Sequence, residues 1–297
     1  MNFFSDIIVE WYSKYKRNLP WRNTKDPYKI WISEIILQQT QVNQGLPYYK
    51  KFIKTFPNFS VLANANEEKV LKLWQGLGYY SRARNLHVAA KQIDKAGFFP
   101  TKYDDIISLK GVGEYTAAAI ASFSYKQPYA VVDGNVFRLL SRFYGIKTPI
   151  NITKGKKQFS DLAQKLLNRE NPDTHNQAIM EFGSQICKPK KPNCINCPLN
   201  NKCIAYINSS INALPVKNNK IKLKTHYFEY FYFKMNGYTL IKKKTEKGIW
   251  QNMYEFPLII CKKFMKNENV LNHHQFQLWI DNIDFDTTGT SVKLSYG

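Results

Sequence analysis

From Phe3 to about residue 206 the apolar residues of this chain recur at helical spacing and nowhere sustain the alternation of a strand. That periodicity predicts an all-helical architecture for the first two-thirds of the molecule. Phe4, Ile7, Ile8, Trp11, Tyr12 and Tyr15 share one face of a helix predicted over Phe3 to Tyr15, which Pro20 ends. Further helices are predicted over 28–41, 70–73, 83–93, 104–109, 114–123, 134–144, 159–167 and 176–186. Beyond residue 206 the pattern changes. Residues 208–219 are rich in Asn, Ser and Lys and read as a linker. From Thr225 short β runs follow, with Asn236-Gly237 between two of them as a hairpin turn. The expected organisation is a helical domain over 1–206, a linker over 207–224 and a smaller α+β domain over 225–297. The last of these stops in a strand-like run, Val292 to Tyr296, and so reads as incomplete.

Charge narrows the partners. Lys and Arg total 43 against 22 acids, a net of +21, and such a field attracts polyanions, nucleic acid first among them. No apolar run reaches the ~18 residues of a spanning helix, so no membrane association is expected. Met1 to Asp6 has no basic start followed by an apolar stretch, which points to a cytoplasmic chain in a reducing compartment. Only seven of the basic residues are arginines, and all lie before residue 171. In a chain so biased to lysine they mark places where a planar, multiply donating guanidinium is needed.

Four of the five cysteines fall together: Cys187, six residues, Cys194, two, Cys197, five, Cys203. In a reducing compartment this spacing predicts metal ligation rather than disulfides. Zinc and an iron–sulfur cube both take four cysteines, and spacing alone puts zinc ahead. Lys188, Lys190, Lys191 and Lys202 surround the cluster, as suits a loop near phosphate. Cys261 stands apart and reads as an ordinary buried thiol.

Between two predicted helices runs Leu109-Lys110-Gly111-Val112-Gly113-Glu114-Tyr115-Thr116. Gly111 and Gly113 let the backbone approach a ligand closely, and the following helix start offers unpaired amides to an anion. Such a hairpin grips phosphate and reads no sequence. Two carboxylates complete the candidate chemistry. Glu34 lies in Trp31-Ile32-Ser33-Glu34-Ile35-Ile36, a poorly solvated setting that raises a carboxyl pKa and suits a proton donor. Asp133, in Val131-Val132-Asp133-Gly134-Asn135, caps a helix start, where amides favour the ionised form. One protonated and one ionised carboxyl is the pairing that cleavage of a glycosidic bond requires.

In order along the chain stand Ser33-Glu34-Ile35-Ile36-Leu37-Gln38-Gln39-Thr40-Gln41-Val42, Gly76-Leu77-Gly78-Tyr79-Tyr80-Ser81-Arg82-Ala83-Arg84-Asn85-Leu86, the hairpin, Val132-Asp133-Gly134-Asn135-Val136 and the cysteine run. Together they resemble the MutY-type adenine DNA glycosylases of the endonuclease III superfamily of helix-hairpin-helix enzymes. The resemblance covers nearly the whole chain. It implies a mainly α, two-lobed glycosylase domain and a [4Fe–4S] cluster on Cys187, Cys194, Cys197 and Cys203, in place of zinc.

The resemblance also implies a monomeric, monofunctional base-excision repair enzyme that removes adenine mispaired with 8-oxoguanine or guanine in double-stranded DNA. The adenine is flipped out of the stack. Gln39 and Tyr79 would wedge the space it leaves, within a DNA-binding set of Gln38, Gln39, Thr40, Tyr79, Arg82, Arg84, Gly111 and Gly113. Trp21, Arg22 and Gln177 would line the adenine pocket. Glu34 would protonate the base and Asp133 stabilise the cationic sugar, with Tyr115 and Asn135 holding them. Superfamily members that also nick the strand carry a lysine where Tyr115 stands, because an amine forms a Schiff base and a phenol does not. Gly248 to Pro257 and Leu214 to Lys217 resemble the Nudix-like C-terminal domain that checks the opposite base. No acidic Nudix box follows Pro257, and the family's Phe-Ser-His loop has no counterpart before Gly297. Either the domain is cut short or the damaged base is discriminated poorly, and a weakened preference for 8-oxoguanine over guanine is expected. The competing readings are a pyrimidine or thymine mismatch glycosylase of the same superfamily and a non-catalytic iron–sulfur DNA-binding protein.

Overall fold

A computed structural model describes residues 3–218, 227–230, 234–235, 238–239, 241–246, 251–261 and 292–293. Its first compact unit is Met1–Asn219 and its second Lys220–Gly297.

In the first unit local signals start and stop most helices. Helix α1 (Phe3–Tyr15) buries Phe4, Ile8 and Tyr12. Helix α2 (Pro27–Leu37) opens with proline at its first position, and Asp26 accepts from the Tyr28 amide as its cap. It stops four residues short of the predicted end. Helix α3 (Val42–Thr55), α4 (Phe59–Ala63, capped by Asn58) and α5 (Glu67–Trp74, capped by Asn66) follow. Helix α6 (Ser81–Ala96) ends at Gly97, whose left-handed φ of 80° closes the last turn. The hairpin helices are α7 (Tyr103–Ile107) and α8 (Glu114–Tyr125). Helix α9 (Gly134–Tyr144) starts on the Asp133 cap and ends at Gly145, also left-handed. Helices α10 (Thr153–Leu166), α11 (Pro172–Gln185) and α12 (Ile204–Ile207) complete the unit.

Two hydrophobic cores make two lobes. One gathers α2 to α8 around Trp31, Phe52, Phe56 and Trp74, all fully buried. The other joins α1 to α9, α10 and α11 through Phe4, Ile8, Phe159 and Phe182. The chain therefore crosses from the second lobe to the first after α1 and back again before α9. Met180 packs against both cores. The alanines of α8, Ala117 to Ala121, are buried, and their small size admits α2 and α11 closely on either side. The predicted linker is strapped down as far as it is described. Arg142 donates to the carbonyls of Ile211 and Leu214, and the Ile150 amide to that of Val216.

In the second unit the described residues are mainly strands. Strand β1 (Tyr227–Tyr230) pairs antiparallel with β6 (Leu258–Cys261). Strand β3 (Tyr238–Thr239) lies between β2 (Lys234–Met235) and β7 (Val292–Lys293). Strand β4 (Lys242–Lys243) pairs with β5 (Tyr254–Glu255). Met235 opposite Tyr238 leaves two residues for the hairpin turn, Asn236 and Gly237, which lie outside the described residues. Gly248 to Trp250 of the Nudix-like segment, Leu294 to Gly297 and the side chain of Cys261 also lie outside them. Among the described residues no helix is long and apolar enough to cross a membrane.

Candidate active site

Glu34 sits in the last two turns of α2, 6% exposed, among Ile30, Ile32 and Ile35. Tyr115, in the first turn of α8, donates its hydroxyl to Glu34 Oε2 at 2.7 Å. Burial pushes the Glu34 carboxyl up to about 7, against the pull of the Tyr115 hydrogen bond and the Arg22 charge. Burial and the two nearby carboxyls push the Tyr115 phenol well above its ordinary range, so it stays a neutral donor.

Asp133 holds the start of α9. Its Oδ1 accepts from the amides of Asn135 at 2.9 Å and Val136 at 2.8 Å, and its Oδ2 from Asn135 Nδ2 at 2.6 Å. Burial raises this carboxyl too, while the three donors draw it back. A carboxyl met by donors on both oxygens has nothing nearby to accept a proton from it, so this geometry suits the anion. Arg138 fixes Asn135 in turn. It donates to Asn135 Oδ1 at 2.8 Å, to the Gly183 carbonyl and to the Cys187 carbonyl, both at 2.6 Å.

Glu34, Tyr115, Asp133 and Asn135 line one cavity of about 180 Å³ between the lobes, together with Trp21, Arg22, Thr40 and Gln177. That is an order of magnitude more than the ~10–15 Å³ one water requires. Eight of the expected site residues thus meet although they come from the turn at Pro20–Arg22, from α2 and the turn after it, and from α8, α9 and α11, which are far apart in sequence. Trp21 packs edge-on against Tyr49, and Gln177 accepts from the Tyr12 hydroxyl at 2.8 Å. The sequence reading missed Glu181, which lies one turn beyond Gln177 in α11 and lines the same cavity. Its side chain is 1% exposed, and both Arg17 (2.6 Å) and Arg22 (2.7 Å) donate to its Oε2. Burial alone would raise Glu181; the two guanidiniums outweigh it and hold the carboxyl at about 2. A single acid among Ile179, Met180 and Phe182 was the available signal.

The remaining expected residues lie outside the pocket. Gln39 and Tyr79 are exposed, each with a left-handed backbone (φ 59° and 46°). Gln38 donates to Thr116 Oγ1 at 3.3 Å, tying the end of α2 to α8. Arg84 is half-buried on α6, and Arg82 faces backbone carbonyls. Gly111 has φ 78°, and a Cβ there would stand 2.6 Å from that of Asn85, so only glycine closes the hairpin against α6. Gly113 begins α8 without a side-chain cap, which leaves the first-turn amides to an external anion.

Cys187, Cys194, Cys197 and Cys203 line a single hollow with Leu139, Phe143, Ile186 and Leu199. All four are free thiols. Burial and the neighbouring thiols raise Cys197 to about 12, and Cys194 and Cys203 also rise, so thiolates there require a cationic centre. Arg142, 2% exposed, reaches Cys187 Sγ at 3.5 Å, and its other partners are carbonyls. A buried guanidinium without a carboxylate calls for an anionic assembly beside it. Among the described residues no three ligand side chains close on a single ion.

Residues 32–169 match the model of the HhH-GPD superfamily base excision DNA repair proteins. The chain is 40% identical over 271 residues to the adenine DNA glycosylase of Buchnera aphidicola from Acyrthosiphon pisum, covering 90% of this chain and 76% of that protein. It is 40% identical over 214 residues to the Mus musculus adenine DNA glycosylase, covering 68% of this chain and 42% of that one. A solved thermostable thymine-DNA glycosylase superposes with a TM-score of 0.64 at 30% identity, covering 69% of this chain and 95% of that one. With 40% identity over 90% of this chain and 76% of the Buchnera relative, the chain belongs to the adenine DNA glycosylases of the HhH-GPD base excision repair superfamily.

Proposed function

We propose that this adenine DNA glycosylase, acting as a monomer on chromosomal DNA in the cytoplasm, removes adenine paired with 8-oxoguanine or guanine. Glu34 is the acid and Asp133 the anion. The observation that carries the reading is their common cavity: one carboxyl near pKa 7 with its neutral phenol partner, the other on three donors.

Gln39 and Tyr79 enter the stack from exposed turns, with Gln38 and Thr40 behind Gln39. Arg84 and the amides around Gly111 and Gly113 take the phosphates. The flipped adenine stands against Trp21. Gln177, Arg22 and Glu181 supply donors beside an acceptor, the complement of the N1 acceptor and N6 amino group on its Watson–Crick edge. Glu34 delivers its proton to N7, the bond from C1′ to N9 breaks, and adenine leaves neutral. Asp133, held by Asn135, faces the positive sugar, and water adds to C1′, leaving its hydroxyl there and returning its proton to the Glu34 carboxylate. Tyr115, a phenol that cannot form a Schiff base, stands at the cavity, and among the described residues no lysine lines it, which supports base removal without efficient strand cleavage.

The four cysteines would hold a [4Fe–4S] cluster, which when bound supplies a charged cross-link that orders the basic loop over 188–202. The second unit is read as a Nudix-like domain that checks the opposite base. Duplexes carrying single mispairs, incubated with the enzyme and then cleaved with alkali, test the specificity. Adenine loss opposite 8-oxoguanine and guanine is expected, and Glu34→Gln should abolish it with DNA affinity retained. Base loss from another mispair, or release by Glu34→Gln, would refute the assignment.

A further inference from the structure

Arg82 stands in the first turn of α6, where the helix start is already partially positive and a cation is disfavoured. Its contacts give it a reason to be there. Nη1 donates to the carbonyls of Ile35 at 2.9 Å and Gln38 at 2.6 Å. Nη2 donates to those of Leu77 at 3.2 Å and Gly78 at 3.5 Å. The first pair closes the end of α2; the second lies in the turn joining α5 to α6. The guanidinium also lies 5.4 Å from the Trp74 ring and 5.7 Å from the Tyr79 ring.

Each turn so joined carries an exposed residue with a left-handed backbone, Gln39 in one and Tyr79 in the other. Outside glycine such a backbone is strained and persists only where its surroundings over-determine it. Arg82 is the group that touches both turns. Arg82 thereby satisfies carbonyls left without helical partners where α2 ends.

We propose that Arg82 is a positioning residue that clamps the two turns into one unit, so that Gln39 and Tyr79 meet the duplex together, and that it makes no phosphate contact itself. The inference rests on the reading of those two residues as wedges. A lysine cannot replace it. One ammonium centre lacks the flat fork that spans two turns, although it keeps the charge.

Arg82→Lys and Arg82→Ala test this in the full chain. In DNA-free Arg82→Lys, amide hydrogen exchange over 38–41 and 75–80 should quicken about tenfold or more, with α8 unchanged. Single-turnover adenine release from an A:G duplex should fall about tenfold or more. Release of adenine opposite an abasic site, where no stacked partner must be displaced, should fall less than about threefold; a general folding defect would lower both alike. In Arg82→Ala the slope of log binding constant against log salt should stay as in the wild type. Unchanged exchange in both turns, or a slope reduced by the ~0.9 of one lost phosphate contact, would overturn the clamp. Faster exchange with an undiminished A:G rate would instead overturn the wedge reading beneath it. Should Arg82→Ala not fold, the exchange and substrate comparisons on Arg82→Lys decide alone.

Discussion

The Tyr115 hydroxyl donates to Glu34 Oε2 at 2.7 Å across the cavity, and this bond is the main pull against the rise that burial imposes on the acid. It favours the carboxylate, so it holds Glu34 near 7 rather than higher. Tyr115 reaches it from α8, the helix that also closes the hairpin at Gly111 and Gly113, so the acid and the hairpin share one element.

The chemistry should therefore slow as pH rises through about 7, because Glu34 must carry its proton to act. Tyr115→Phe removes the bond that lowers this pKa. The alkaline limb of the single-turnover rate should move up by about half to one pH unit, the equivalent of a hydrogen bond worth ~1 kcal/mol. A limb that stays in place or moves down would contradict the role.

The same burial makes Glu34 a liability to the fold. Its carboxyl titrates near 7 in the folded chain and near 4.3 unfolded, so stability is untouched in acid, falls across that interval and levels off above it. Glu34→Gln should then stabilise the protein on the order of 3 kcal/mol at pH 8 and hardly at all at pH 4. Thermal melts of both proteins at the two pH values check this.

Glu181 has the opposite sign. Its carboxyl is held at about 2, so its contribution is present above its unfolded value and is lost as pH falls through 2. Glu181→Gln leaves Arg17 and Arg22 partly buried without their counter-charge. A loss of about 3 kcal/mol at pH 7 is expected, the lower end for a broken buried pair because Arg17 is one-third exposed. Urea titration at pH 7 measures it, and adenine release should fall as the donor–acceptor pair is lost.

The cysteine hollow makes a composition prediction. Cys197→Ser should lower both iron and acid-labile sulfide and reduce the melting temperature. Arg142→Met should do the same more weakly, since it removes the buried cation beside Cys187. One zinc per chain in the purified wild type, with neither iron nor sulfide, would refute the cluster.

Much of the site was readable because it is local. Asp133 caps the helix that its own next residues begin, so its partners Asn135 and Val136 follow from adjacency. Glu34 was legible from its apolar neighbours, and the hairpin from two glycines at fixed spacing. The helices α3 and α4 went unpredicted, one carrying Gly45 and Pro47 and the other only five residues long. Burial of Tyr49, Phe52 and Leu62 in the first core stabilises what propensity alone does not.

By itself, then, the amino-acid sequence determined which segments become helices, where they are capped, and which residue types were present for acid, anion and metal chemistry. Short-range hydrogen bonds and the 3.6-residue period decide those features within a few residues of the chain. Tertiary packing decided everything that depends on residues meeting from a distance. The Glu34 proton affinity comes from enclosure by other helices, and Glu181 met its arginines across about 160 residues. Arg82 turned inward because carbonyls 44 and 47 residues earlier came within its reach. Charge and hydrogen bonding act through space, at distances that only the folded cores bring into being.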